Sequence, residues 1–202
     1  MTTDGGEGFQ EVVLVRHAQS LANIGQSTSH DSAITEAGQR QAKSLAVFLE
    51  RECGVSRQWQ GHVSPFLRTL QTSHVIHQQL ELEFCSDWRL REFEHSLPPG
   101  EAVTIPSVRP GFDWVQSQTD ESWVYHKETR EEFFARMRAF VQSVRTSGRH
   151  TLVVSHGLPV LVMADLFAGR SILWPETWCD QYPNASVTHY RGNRCLRNAD
   201  AG

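Results

Sequence analysis

The chain has 202 residues, 39% of them hydrophobic and 21% charged, with a formal net charge of -4. That is the composition of a soluble globular protein long enough to bury a sizeable core, and it excludes the disordered and fibrous classes. It also excludes general nucleic-acid binding, which needs a surplus of Lys and Arg to neutralise phosphates, so any anion site must be local.

Residues 1–10, MTTDGGEGFQ, are polar and Gly-rich and lack the basic start and apolar centre of a signal peptide. They are expected to form a flexible tail before a single domain over residues 11–198. Val12-Val13-Leu14-Val15 is a short apolar run rich in β-branched residues, the pattern of a strand covered on both faces in a parallel sheet. His17 follows it directly. From Thr35, the residues Ala42, Leu45, Ala46 and Leu49 recur at three- and four-residue steps as one helical stripe, and Gly54 marks its end. Gln60 to Val63 reads as a second strand. Ser64-Pro65 then offers an N-cap and a proline at the first helical position for a helix to about Leu80.

A third strand is expected near Leu82 to Cys85. Residues 93–127 hold Pro98-Pro99, two further prolines and no sustained period, which predicts a long irregular insertion over the surface. Thr129-x-x-Glu132 is a capping box, and Phe133, Met137, Phe140, Val141 and Val144 give a strongly amphipathic helix that Gly148 closes. Thr151 to Val154 repeats the buried-strand pattern, with Ser155-His156-Gly157 at its end and Pro159 opening the next helix. The run Leu158 to Ala168 is broken by Asp165 and is shorter than the ~20 residues a membrane helix needs, so a buried helix and no membrane partner are expected. Ala185 to Tyr190 reads as a last strand before a turn at Gly192-Asn193 and a polar end. Alternating strands and helices predict an α/β three-layer sandwich, a mostly parallel central sheet flanked by helices.

Two histidines, His17 and His156, each sit just beyond an apolar strand. Ligands of open α/β sheets bind at the carboxyl ends of the strands, so this placement brings both imidazoles to one crevice. Around them stand four segments: Leu14-Val15-Arg16-His17-Ala18-Gln19-Ser20 with Asn23, Ser64 to Thr72 with Arg68, Glu92, and Ser155-His156-Gly157. In their order and spacing these resemble the histidine phosphatase superfamily, the phosphoglycerate mutase-like group, over about Val12 to Tyr190.

The resemblance implies that His17 is a nucleophile that carries a phosphoryl group. A neutral imidazole can attack phosphorus, and with an ordinary pKa near ~6.5 about three quarters of such rings are uncharged at pH 7. It implies that Arg16 and Arg68 match phosphate oxygens with their planar forks, and that His156, Gly157 and Asn23 add contacts to the same group. Asn23 could equally hold a turn. Glu92 resembles the carboxylate that protonates the leaving oxygen and later activates water, with Glu94 as a nearby competitor. Two positions depart from the commonest family pattern: Ala18 stands where glycine is usual and Gln19 where glutamate is frequent. Alanine is uncomfortable at positive φ, so this loop must take a conformation that an L-residue accepts.

No metal and no cofactor are expected. His74 and His77 lie three apart on a helix without a completing ligand, and Cys53, Cys85, Cys179 and Cys195 lack disulfide or zinc spacing. Reduced thiols suit a cytoplasmic location. Trp114, Trp123 and Tyr125 in the insertion either line a substrate pocket or cover the core. The insertion has only Arg109 and Lys127 as basic residues and lacks the paired arginines of the phosphoglycerate mutases. Hydrolysis of a small phosphorylated substrate is therefore expected over mutase-type transfer, or over non-catalytic phosphate or partner binding on the same fold. Nothing in the sequence speaks to oligomeric state.

Overall fold

The computed structural model describes residues 10–94, 97–98, 100–107, 109–117, 121–172, 174 and 182–200. The buried runs become the centre of a seven-stranded sheet. Strand β1 (Glu11–Arg16) pairs in parallel with β7 (Thr151–Ser155), and β2 (Gln60–Val63), β3 (Phe84–Ser86) and β5 (Val115–Ser117) extend the parallel part. On the other side β8 (Ser186–Arg191) and β9 (Arg194–Asp200) add antiparallel strands, giving the order β5-β3-β2-β7-β1-β8-β9. The mostly parallel sheet follows from the crossovers, since a strand that returns through a helix re-enters in the same direction.

Alternation along β1 divides the core. Val13 and Val15 face the layer of α1 (Glu36–Cys53) and α2 (Leu67–Leu80), with Leu45, Leu49, Leu70 and Ile76. Val12 and Leu14 face the layer of α3 (Arg130–Ser147) and α4 (Gly157–Phe167), with Phe133, Phe140, Leu158 and Met163. Both faces of the sheet are thus covered, and each large apolar side chain so buried contributes about 1.5–3 kcal/mol against leaving it in water.

Gly54 and Gly148 close α1 and α3 in the left-handed conformation, and Thr129 with Glu132 forms the expected capping box. The helix after β2 starts later than its Ser-Pro signal. Its N-cap is Phe66, without a side-chain cap of its own. Ser64 is unavailable because its hydroxyl bonds His156 and its carbonyl accepts from the Thr69 hydroxyl. The first helical N–H, that of Leu67, instead donates to Asp31 Oδ1 at 2.6 Å across the fold. Likewise Pro159 does not open α4 but is its third residue, where a missing N–H still costs no intrahelical bond.

Three further expectations are corrected. The third strand lies at Phe84–Ser86 rather than from Leu82, because register with β2 pairs Gly61 with Phe84. The insertion is not irregular: β5 joins the main sheet, while β4 (Ala102–Ile105) and β6 (Trp123–His126) form an antiparallel pair over Phe66 and Leu97. The polar end after Gly192 is β9, a strand whose polar side chains suit an exposed sheet edge. Of the expected tail, residues 1–9 lie outside the described residues. Gln10 is tied in place, its amide donating to the carbonyls of Val144 and Arg149. Among the described residues no helix is long and apolar enough to cross a membrane.

Candidate active site

Strand register assembles the crevice. In the parallel β1–β7 pair Arg16 lies opposite Ser155, so the next residues outward, His17 and His156, leave the carboxyl edge side by side. The His17 N–H still donates to the Ser155 carbonyl at 2.9 Å, and the two buried imidazoles stand edge to face with centroids 5.3 Å apart.

Partners set the tautomer of His17. Its Nδ1 lies 2.8 Å from the Ala18 carbonyl oxygen, which can only accept, so Nδ1 carries the proton. Nε2 keeps its lone pair and accepts from Arg68 Nε at 3.2 Å. Burial and the guanidiniums of Arg68 and Arg16 push the His17 pKa well below the usual 6.5, against the opposing pull of the Ala18 carbonyl. The ring is neutral at pH 7, with its lone pair directed at Arg68.

His156 is held neutral for the same reasons, burial first and then Arg68 and His17. Its Nε2 sits 2.8 Å from Ser64 Oγ, while its Nδ1 is buried without a hydrogen-bond partner. Arg68 is the second residue of α2; its Nη1 donates to the His30 carbonyl at 2.7 Å and its guanidinium lies 4.8 Å over the Phe66 ring. Asp31, which caps α2, also pairs with Arg109 from the insertion. Arg16 ends β1, donates to the Tyr182 carbonyl, and packs against Gly157, where an added Cβ would come within 3.6 Å of the guanidinium carbon. That is ordinary van der Waals contact, so packing alone does not demand glycine here.

The partly buried Glu92 follows a single 3-10 turn (Trp88–Leu90), and its Oε1 accepts the Phe93 N–H at 2.9 Å. Burial raises its pKa, opposed by that bond and by Arg68, Arg16 and Arg136. Its competitor Glu94 is engaged elsewhere, with Oε2 2.9 Å from His30 Nδ1. Arg68 and Arg16 thus act electrostatically on His17, His156 and Glu92 alike.

Residues 12–198 match the family model of the histidine phosphatase superfamily (branch 1). The chain belongs to this superfamily. The chain is 29% identical over 192 residues to phosphoserine phosphatase 1 of Hydrogenobacter thermophilus, covering 88% of this chain and 84% of that one. In fold it is similar to the ecdysone phosphate phosphatase of Bombix mori, with TM-score 0.66, 17% identity and 94% and 92% of the two chains covered. It is also similar to a mycobacterial glucosyl-3-phosphoglycerate phosphatase in complex with inorganic phosphate, with TM-score 0.59, 21% identity and 95% and 98% covered.

The two departures from the family pattern fit the local structure. Ala18 is fully buried, is absent from the residues at positive φ, and donates its N–H to Thr72 Oγ1 at 3.1 Å. Gln19 turns away from the crevice, its Oε1 accepting from Thr35 Oγ1 at 2.9 Å beside the N-cap of α1. Asn23 takes the turn-holding role: its Oδ1 accepts from the Ser20 N–H and Oγ, both at 2.9 Å, and from Asn184 Nδ2 at 3.1 Å. His74 and His77 pack on Trp114, with His77 stacked at 4.7 Å, and Tyr125 lies against Phe66. Trp114 therefore covers the α2 flank, whereas Tyr125 covers the ring beneath Arg68.

Sequence reasoning missed Ser64, Asp31 and Asn184, whose Nδ2 also donates to the His17 carbonyl at 3.1 Å. Ser64 had a readable signal, since it too stands immediately beyond a strand. Asp31 and Asn184 had none, because their partners are distant in sequence.

Two predictions arise from this geometry. A Cβ at Gly38, in the first turn of α1, would overlap the Gln19 carbonyl oxygen. Gly38→Ala is expected to displace the loop after His17 and to lower unfolding free energy by about 1–3 kcal/mol, measured by urea denaturation; unchanged stability would show that the loop yields freely. The second concerns pH. An unfolded histidine titrates near 6.5 while folded His17 and His156 titrate well below it. Between those values the unfolded chain binds protons that the folded chain refuses, so stability is whole above about pH 7 and is lost as pH falls through 6.5. Each ring contributes up to about 1.4 kcal/mol per pH unit in that window. His17→Ala is expected to flatten the fall of the urea midpoint between about pH 7.5 and about pH 5.5 relative to wild type, and an unaltered slope contradicts the depressed pKa.

Proposed function

We propose that the chain hydrolyses small phosphomonoesters through a phosphohistidine on His17, with no metal or cofactor needed to activate the nucleophile. The observation that carries this reading is the proton placement on His17: Nδ1 is held by the Ala18 carbonyl, which leaves the lone pair on Nε2, where it accepts from Arg68 Nε until a phosphate takes that donor. Nε2 attacks phosphorus, the bond to the ester oxygen breaks, and Glu92 in its protonated form gives its proton to the departing oxygen. Burial favours that protonated form. Glu92, now ionised, takes a proton from water as the water oxygen attacks phosphorus. The nitrogen–phosphorus bond breaks, its electron pair returns to Nε2, and inorganic phosphate leaves.

Arg16 and Arg68 hold the equatorial oxygens with their forks, and Gly157 offers an N–H at the start of α4, where a helix favours an anion. With Ser64 Oγ–H donating to His156 Nε2, the proton of His156 lies on Nδ1, the unpartnered atom, which donates to the phosphoryl group. Asn23, its Oδ1 committed to the turn, reaches the phosphate with Nδ2. Hydrolysis is favoured over mutase-type transfer because neither basic residue of the insertion offers an uncommitted cation beside the phosphate. Arg109 is paired with Asp31, and Lys127 lines a separate surface groove with Trp88.

O-phosphoserine is the first substrate to try, given the name of the relative at 29% identity. Among the described residues Cys53, Cys85 and Cys195 form no disulfide, which suits a reducing cytoplasm; Cys179 lies outside the described residues. Phosphate release from O-phosphoserine and p-nitrophenyl phosphate, with and without chelator, tests the reading. Chelator-resistant turnover is expected, together with one acid-labile phosphoryl group on Glu92→Gln protein given p-nitrophenyl phosphate. Loss of turnover with chelator, or labelling that survives His17→Ala, overturns it.

A further inference from the structure

Behind Glu92 lies a charge cluster that the proposed chemistry leaves unused. Arg136, on α3, grips Glu128 with a two-pronged fork, Nε to Oε2 at 2.9 Å and Nη2 to Oε1 at 2.6 Å. Arg91 Nη2 donates to the same carboxylate at 3.1 Å, and its guanidinium lies 4.2 Å over Trp88. All three are buried, at 7%, 6% and 8% exposure for Arg91, Glu128 and Arg136. Burying such ions costs several kcal/mol each, and apolar replacements are often no less stable, so stability alone is a poor reason for this cluster.

Its remaining hydrogen bonds show where it acts. Arg136 Nη1 donates to the Arg89 carbonyl and Nη2 to the Glu92 carbonyl at 3.2 Å. Ser155 Oγ donates to the Leu90 carbonyl between them at 2.7 Å. Residues 89–92 lie outside any sheet ladder, with only one 3-10 turn to order them. Three of their four carbonyls are therefore fixed by side chains from α3 and β7, and Ser155 is the residue just before His156.

We propose that Arg136, locked by Glu128, is a positioning residue that holds the backbone of Glu92 in register with the two histidines. The inference rests on the reading of Glu92 as proton donor. A fork is required because one planar group must reach Glu128 and two carbonyls together; a lysine has one nitrogen for all three. A misplacement of about 1 Å in an acid of this kind costs up to about 10²-fold in rate.

The test compares phenyl phosphate, whose leaving oxygen needs a proton, with p-nitrophenyl phosphate, which leaves readily as the anion. Arg136→Met is expected to lower kcat about 10²-fold on phenyl phosphate and only a few-fold on p-nitrophenyl phosphate, with KM nearly unchanged. Added to Glu92→Gln it is expected to cost nothing more on phenyl phosphate, because the group it positions is already lost. If thermal unfolding shows Arg136→Met unfolded at the assay temperature, Arg136→Lys and Ser155→Ala carry the same comparison. Equal losses on both esters in a folded variant, no loss on either, or losses additive with Glu92→Gln overturn the positioning role. Should Glu92→Gln itself treat the two esters alike, the proton-donor reading falls first and the positioning inference with it.

Discussion

His17→Ala is expected to slow phosphate release by at least about 10⁴-fold, the scale on which removal of a covalent nucleophile acts. The alanine keeps the backbone N–H that donates to Ser155 and the carbonyl that accepts from Asn184, so the β1–β7 edge is retained. What disappears is the lone pair on Nε2 and the acceptor for Arg68 Nε. The variant is thus expected to fold, with unchanged circular dichroism and a cooperative urea transition, while forming no phosphoenzyme. A folded His17→Ala protein that retains more than a few per cent of wild-type turnover places the nucleophile elsewhere, and the Nδ1–Ala18 bond would then be merely structural.

The second large effect is expected at Arg68. This guanidinium touches His17, the proposed nucleophile, reaches the His30 carbonyl and depresses the pKa of both His17 and His156. Arg68→Lys keeps a charge but loses the fork, and a drop in kcat of about 10²–10³-fold is expected, comparable with removal of one preorganised donor to a developing anion. Arg68→Met is the sharper probe. With the cation gone, one of the forces holding the His17 pKa down is removed, so the pKa rises, more of the ring is protonated at a given acidic pH, and less lone pair is available. The acid limb of kcat/KM is therefore expected to move to higher pH. It does not return fully to that of free imidazole, because burial, the largest contribution, remains. An acid limb that stays in place or moves to lower pH would show that Arg68 does not set the state of the nucleophile.

The strand ends that carry both histidines are legible in the chain order itself. Val12 to Val15 and Thr151 to Val154 announce themselves as buried strands because a parallel sheet covered on both faces leaves no polar side, and each is followed by a histidine. The capping box at Thr129 and the closing glycines at Gly54 and Gly148 are local chemistry, decided within a few residues, and they stand where the pattern put them. The start of α2 shows the opposite case. Ser64-Pro65 is a good local signal for a helix start, yet Ser64 is recruited by His156, 92 positions away, and the cap is supplied by Asp31. The insertion defeated a reading by period because β4, β5 and β6 are each three or four residues long, too short for alternation to register above the surrounding prolines and glycines.

By itself the amino-acid order determined which residues are chemically suited to a phosphate, and that His17 and His156 stand at strand ends. Hydrophobic periodicity is a property of neighbours in the chain, and it survives without knowledge of the fold. Only the tertiary structure decided that β1 and β7 are adjacent with Arg16 opposite Ser155, which proton the ring of His17 carries, that Glu94 is taken by His30, and that Arg136 and Ser155 fasten the segment bearing Glu92. Apart from the contact of His17 with the Ala18 carbonyl, these join residues tens of positions apart, and long-range pairing leaves no periodic trace in either partner.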